Sequence, residues 1–340
     1  MSEIAIIGAG AWGTALSIIL GRTGTHSIRL WAHEEDVCES IAQRRENVKF
    51  LPGQNIPTSV KPFRDLAESI DAAAILVSVM PSQHCRRLFE QMRPHLRPEV
   101  MIVSATKGLE ENSLLRMSEV IAQVIRNETI PHPRIGALSG PSFALEAARG
   151  DPTAIAIASQ DIDLARFVQQ EFSNASFRVY TNEDPVGVEL GGALKNTIAI
   201  AAGVCAGLGL GHNSVAALIT RGLAEMTRLV VACGGKPETM AGLAGLGDLV
   251  LTCTGGLSRN RSVGVELGRG RRLPEILAAM HGMVAEGIFT TTAAVGLARA
   301  HGVEMPITEQ MHAILHDGKS PRDAIQELMA RAGKSETSRF

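Results

Sequence analysis

Three glycines near the start of the chain constrain its fold more than anything else in it. Gly8, Gly10 and Gly13 stand at G-x-G-x-x-G spacing. Ahead of them runs Ile4-Ala5-Ile6-Ile7, an apolar stretch suited to a strand buried on both faces. Behind them, Ala15 to Leu20 is apolar at helical spacing. A glycine triplet between a strand and a helix predicts a dinucleotide-binding turn, a context that a bare G-x-G-x-x-G lacks. Gly8 allows the tight turn, Gly10 lets the backbone approach a pyrophosphate, and Gly13 lets the helix pack closely on the strand. The pyrophosphate is expected on the helix N-terminus, where free N–H groups and the helix dipole favour an anion. The bland alternative is the same turn with no ligand.

The acidic residue that usually completes this fingerprint is missing. Ser27-Ile28-Arg29-Leu30-Trp31 reads as the second strand and ends in Ala32 and His33, with Glu34 and Glu35 slightly late. An Asp or Glu at that end binds the ribose 2′-hydroxyl and selects NAD. His33 suits a 2′-phosphate instead, so NADP is expected to be accepted, alongside NAD. The competing reading of His33 is an exposed loop residue.

At 340 residues the chain is long for one core, so two domains are expected. Its 45% apolar and 20% charged composition is that of a globular protein. A net charge of −2 and 4% aromatic residues argue against nucleic-acid binding. Cys38, Cys85, Cys205, Cys233 and Cys253 contain no C-x-x-C, so neither a metal site nor a disulfide framework is expected. Together with an N-terminus that enters a strand at once, this predicts a cytoplasmic protein. Thr197 to Thr220 holds no Asp, Glu, Lys or Arg and is long enough to cross a bilayer. Its glycines and the His212-Asn213-Ser214 break predict two buried helices rather than a membrane span.

Along the chain, Asp36 to Arg44 reads as a helix, Glu46 to Gly53 as a loop, and Ile56 to Phe63 carries two more prolines. Strands are expected at 72–79, 100–104, 135–138, 153–158 and 177–180. Strands alternating with helices imply a parallel, doubly wound sheet. Ligands bind beyond the carboxyl ends of such strands. The tips around Gly10, His33, Pro81, Lys107 and Ser142 should therefore converge. After Val186 only helical stretches follow: 187–203, 214–233, 262–268, 273–281, 290–300, 308–315 and 321–331. The expected fold is α/β, an N-terminal Rossmann-type doubly wound sheet (residues 1–188) followed by an all-α C-terminal domain (189–340), with the site at their interface. The tail after Gly333 is polar and expected to be loose.

The helical half places polar residues in apolar or glycine-rich settings. Lys195 stands among small apolar neighbours in Gly192-Ala193-Leu194-Lys195-Asn196-Thr197. Partial desolvation would lower a lysine's pKa and suit it to proton exchange. The alternative is a lysine reaching out to solvent from a helix. Asn196 beside it suits a phosphate or the lysine. Asp248, between glycine turns and an apolar run that includes Thr252, either caps the next helix or orients Lys195, and both can hold. Ser258-Arg259-Asn260 follows a glycine turn at a helix start, a cradle for a phosphate or else a solvated loop. Val284-Ala285-Glu286-Gly287 is a smaller signal, with Glu286 near the cofactor.

Taken together, these motifs resemble the soluble bacterial NAD(P)-dependent glycerol-3-phosphate dehydrogenase family over nearly the whole chain. The landmarks include Leu51-Pro52-Gly53, Ser104-Ala105-Thr106-Lys107-Gly108, Ser139-Gly140-Pro141-Ser142, Thr220 to Met226 and Leu246-Gly247-Asp248-Leu249. The resemblance implies reversible reduction of dihydroxyacetone phosphate to sn-glycerol 3-phosphate, which feeds phospholipid synthesis, with NADP or NAD and no metal. It implies that Lys195 exchanges the proton, that Lys107 sits near the same carbonyl, and that Asp248 holds Lys195. Gly140, Ser142, Asn196, Thr252, Ser258, Arg259 and Asn260 would bind the small phosphorylated substrate. Gly8, Gly10, Ala11, Trp12, Gly13, His33, Lys107, Ala144, Arg259, Val284 and Glu286 would line the cofactor. Ala11 stands where many relatives have Ser, which removes one polar contact. A homodimer is compatible with this reading, and no nucleic acid or membrane span enters it. The rival readings are a related 3-hydroxy acid dehydrogenase and an NAD(P)-binding sensor without turnover.

Overall fold

The isoleucine-rich stretch before the glycines forms β1 (Ser2–Ile7), and Ile4, Ala5, Ile6 and Ile7 are wholly buried. In the computed structural model, which describes residues 2–280, 285–333, 335 and 336, this strand lies inside an eight-stranded sheet. The others are β2 (His26–Trp31), β3 (Val60–Phe63), β4 (Ile75–Ser78), β5 (Met101–Ser104), β6 (Arg134–Ser139), β7 (Thr153–Ala158) and β8 (Phe177–Asn182). Their order is β3-β2-β1-β4-β5-β6-β7-β8. Ile4 pairs with Ile28 on one side and Ile75 on the other. The chain thus reverses its direction of travel between β1 and β4, the switch point beside which doubly wound sheets bind ligands.

Two features differ from the sequence reading. The proline-bearing run before Phe63 supplies β3, with Pro62 beside Leu30. A proline has no N–H to give to a ladder, so the strand it joins is the sheet's edge. The sheet is also not wholly parallel, because β7 runs antiparallel to β6. Six-residue β6 advances about 20 Å, whereas the helix after it, Ala144–Arg149, rises only about 9 Å. After this connection the next strand runs back along β6 instead of returning to the starting edge.

The helices are α1 (Ala11–Gly21), α2 (Glu35–Arg44), α3 (Leu66–Ile70), α4 (Cys85–Met92), α5 (Met117–Ile125), α6 (Ala144–Arg149) and α7 (Ile162–Phe172) around the sheet. Then come α8 (Pro185–Gly207), α9 (His212–Ala232), α10 (Pro237–Met240), α11 (Asp248–Thr254), α12 (Arg259–Gly268), α13 (Leu273–Ala279), α14 (Glu286–Ala300), α15 (Pro306–His316) and α16 (Pro321–Met329). A π-helical turn, Leu243–Gly247, leads into α11. The expected end of α13 at His281, and the tail residues 334 and 337–340, lie outside the described residues.

The chain divides into two compact units, Met1–Lys107 with Met117–Pro185, and Gly108–Arg116 with Val186–Phe340. The nine-residue excursion at 108–116 is not announced by the sequence. In the second unit, α8 is long and apolar enough to cross a bilayer, but 89% of its most apolar window is buried within the protein. It packs tightly on α12, where a Cβ added to Gly264 would lie 1.9 Å from the Ile200 carbonyl oxygen. Backbone contact this close admits only glycine. Elsewhere Glu225 of α9 accepts N–H bonds from Ile307 (2.9 Å) and Thr308 (2.8 Å), capping α15 behind the Pro306 that opens it.

Candidate active site

In the first unit the glycine turn is built as the spacing requires. Gly8 has φ +123, a conformation that strains any side chain, and a Cβ there would meet the Val79 carbonyl oxygen at 2.8 Å. A Cβ on Gly13 would lie 1.9 Å from the Gly8 carbonyl oxygen. Around Gly10 a Cβ would meet nothing within 4 Å, so this position faces open space. Gly10 is the N-cap of α1, no side chain caps that helix, and its first turn holds no acidic residue. Ala11 and Trp12 open the helix. Its first N–H groups and positive dipole end fit the pyrophosphate of a dinucleotide.

The remaining predicted residues of this unit stand at the carboxyl ends of the strands. His33 follows β2, exposed, with its ring 5.8 Å from that of Trp31. Arg64, just past β3, donates to the Ala32 carbonyl (2.9 Å) and to that of His33. Lys107 follows β5, and its Nζ donates to the Gly140 carbonyl at 3.2 Å. Ser142 Oγ donates to the same carbonyl at 3.0 Å. Gly140 has φ +150, with Ile155 Cα only 2.9 Å from where a Cβ would be. Ala144 is the first residue of α6. The structure therefore joins Lys107, Gly140 and Ser142 around one oxygen.

The second unit holds a buried polar network. Lys195 of α8 donates from Nζ to Asp248 Oδ1 and to Thr252 Oγ1, both at 2.7 Å. Thr252 in turn donates to the Asp248 carbonyl at 2.6 Å. The side chains of Lys195 and Asp248 are only 8% and 1% exposed, so the lysine is enclosed and does not reach out to solvent. Asp248 opens α11 immediately after the π turn. Its carboxylate accepts from Lys195, so the orienting role the sequence offered is present in the structure. The carboxylate also lies at the positive end of α11. Single-turn π features recur at functional sites.

Beside it runs a second chain of bonds. Asn260 Nδ2 donates to Asn196 Oδ1 at 2.9 Å, and Gly287 N–H donates to Asn260 Oδ1 at 2.9 Å. Gly287 directly follows Glu286, the first residue of α14. Ser258, buried, caps α12 by accepting from the Arg261 N–H at 3.2 Å. Arg259 is exposed by area, yet the protein atoms crowded around it desolvate its guanidinium and lower its pKa, while nearby Glu286 acts the other way. Among the described residues it makes no hydrogen bond or ion pair. Val284 lies outside the described residues. Among those described, no three His, Cys, Asp or Glu are grouped to hold a metal ion.

Comparison with known proteins supplies the family. Residues 3–165 match the family model for the NAD-dependent glycerol-3-phosphate dehydrogenase N-terminus, and residues 184–326 match that for its C-terminus. The chain is 66% identical over 336 residues to a glycerol-3-phosphate dehydrogenase [NAD(P)+] of Koribacter versatilis, covering 99% of both chains. The chain belongs to the NAD-dependent glycerol-3-phosphate dehydrogenase family. Its fold superposes with a TM-score of 0.92 on the crystal structure of the Coxiella burnetii glycerol-3-phosphate dehydrogenase, at 42% identity, covering 97% of this chain and 99% of that one. The Saccharomyces cerevisiae enzyme gives 0.80 at 26% identity, with 96% and 98% covered.

For a glycerol-3-phosphate dehydrogenase, two supporting residues escape the sequence reading. Asn47 is fully buried, and its Nδ2 donates to the Ala9 carbonyl and to Thr14 Oγ1, both at 2.8 Å. It thereby braces the glycine turn from 38 residues away. Arg64 braces the backbone carrying His33. Neither leaves a local signal, since each acts across the sheet rather than along the chain.

Proposed function

We propose that this chain catalyses the reversible reduction of dihydroxyacetone phosphate to sn-glycerol 3-phosphate with NADPH or NADH, supplying glycerol 3-phosphate for phospholipid synthesis. The observation that carries this reading is Lys195, buried and held by Asp248 and Thr252 within a chain of this family.

When bound, the nicotinamide supplies the hydride. Everything else falls to the protein. Lys195 Nζ gives the proton that completes the alcohol, and takes it back in the oxidative direction. Lys107, placed near the same oxygen, stabilises negative charge as it builds there. Asp248 and Thr252 fix the Nζ of Lys195 and so set the direction of transfer. Arg259 offers a guanidinium not engaged by another side chain, beside the N–H groups that open α12, and these suit the phosphate dianion. Ser258, Asn260, Asn196, Gly140 and Ser142 complete the substrate side. Gly8, Gly10, Ala11, Trp12, Gly13, Ala144, Val284 and Glu286 serve the dinucleotide. His33, with no acid at the end of β2, admits the 2′-phosphate as well as the 2′-hydroxyl. We place the protein in the cytoplasm, and a homodimer is compatible with this reading.

The test is the loss of nicotinamide absorbance, run with NADH and NADPH separately, on dihydroxyacetone phosphate and on dihydroxyacetone. Rapid loss with the phosphorylated substrate alone is expected, and the NADPH to NADH ratio reads the role of His33. No loss in folded, nucleotide-binding protein, or equal rates on both substrates, would overturn the reading.

A further inference from the structure

The segment that follows Lys107 leaves the unit it came from. β5 and α5 belong to the first unit, yet the residues between them, Gly108–Arg116, pack with the helical one. They form a closed loop. Leu109 and Arg116 make an antiparallel bridge, Glu110 N–H donates to the Leu115 carbonyl at 3.0 Å, and Leu114 N–H donates to the Glu110 carbonyl at 2.8 Å.

Three anchors hold this loop to the helices. Leu109 is 2% exposed and belongs to the helical unit's core. Leu114 has φ +60, which a bulky residue keeps only where its surroundings fix it. What fixes it is Gly296 of α14, where an added Cβ would lie 3.1 Å from Leu114 Cδ2. The third anchor is ionic. Arg116 donates to Glu189 Oε2 at 2.6 Å, with side chains 16% and 6% exposed. Removing one partner of such a pair strands the other's buried charge, so its geometry is held. Glu189 lies on α8, six residues before Lys195.

We propose that residues 108–116 are a strap, and that Arg116, Glu189 and Leu114 are positioning residues for Lys107. This rests on the reading of Lys107 as the cation beside the reacting carbonyl. Its ammonium is tied to Gly140 in the sheet unit, and its next peptide bond begins the strap. The strap in turn is bolted to the helix that carries Lys195. The chain that continues from Lys107 is thus held by the helical unit's own residues.

The experiment is a mutant cycle on the full chain, reading kcat and KM for dihydroxyacetone phosphate. Arg116→Met is expected to lower kcat about tenfold, with KM for the substrate little changed, since small misplacements of a catalytic group cost rate before they cost binding. Arg116→Met made on top of Lys107→Met should cause no further fall, because the group it positions is gone. Leu114→Gly relaxes the backbone while removing the contact, and should behave the same way if Arg116→Met proves too unstable to assay. The strap is overturned if these changes lower kcat by the same factor with and without Lys107, or leave kcat unchanged. A wild type with no turnover would remove the reaction itself, an outcome read from a different tube than the ratio.

Discussion

The two units solve recognition in opposite ways. In the first, the proposed nucleotide site is almost all backbone: a positive-φ glycine, an open glycine and the bare N-terminus of α1. In the second, the proposed substrate site is almost all side chain, with Lys195, Asp248 and Thr252 bonded to one another and Asn196 bonded to Asn260. A backbone site is written in the spacing of six residues, so most of it is local, although Asn47 braces it from elsewhere. A side-chain site depends on which helices pack together, and its partners Lys195 and Asp248 are 53 residues apart. The first arrangement suits a large, uniform ligand, and the second a small reacting group whose proton must be placed to within a bond length.

This contrast can be broken at several points. The largest stability effect is expected from Asp248→Ala, which strands a buried lysine charge. Removing one partner of such a pair costs about 3–5 kcal/mol, and urea unfolding should show it, with a smaller loss for Asp248→Asn. Equal stability of Asp248→Ala and wild type would mean that the network holds nothing. In the first unit Gly13→Ala forces a Cβ into the Gly8 carbonyl and should cost about 1–3 kcal/mol. Gly10→Ala sharpens the point. It has room in the free protein, so its unfolding midpoint should stay put while NADPH affinity drops, because the added methyl stands where the pyrophosphate approaches. A Gly10→Ala protein that binds NADPH normally would place the phosphates elsewhere.

Arg259→Ala should raise the KM for dihydroxyacetone phosphate by on the order of tenfold or more, as loss of a charge-assisted phosphate contact does. An unchanged KM would move the phosphate site away from α12. The smallest effect belongs to Glu225→Ala, which uncaps α15. A lost cap costs about 1 kcal/mol, visible as a lower melting temperature with kcat and KM intact.

The same contrast governs what could be read from the sequence. The α/β half was legible because glycine spacing and buried strands are local signals, and Lys195 stood out for its small, apolar neighbours. Asn47 and Arg64 were not, because their partners come from strands and turns that only the sheet brings close. The antiparallel β7 was not legible, because alternation of strands and helices does not encode the direction in which a strand joins its neighbour. Likewise Asp248's bond to Lys195 could not be read from its flanking glycines, because the two residues are 53 positions apart.

The most direct measurement is Lys195→Ala with NADPH binding and turnover determined on the same preparation. The account predicts an unchanged nucleotide affinity and a turnover lower by on the order of 100-fold or more, the scale of a lost proton donor. Turnover that survives the substitution would contradict it, since the proton would then come from outside the buried network.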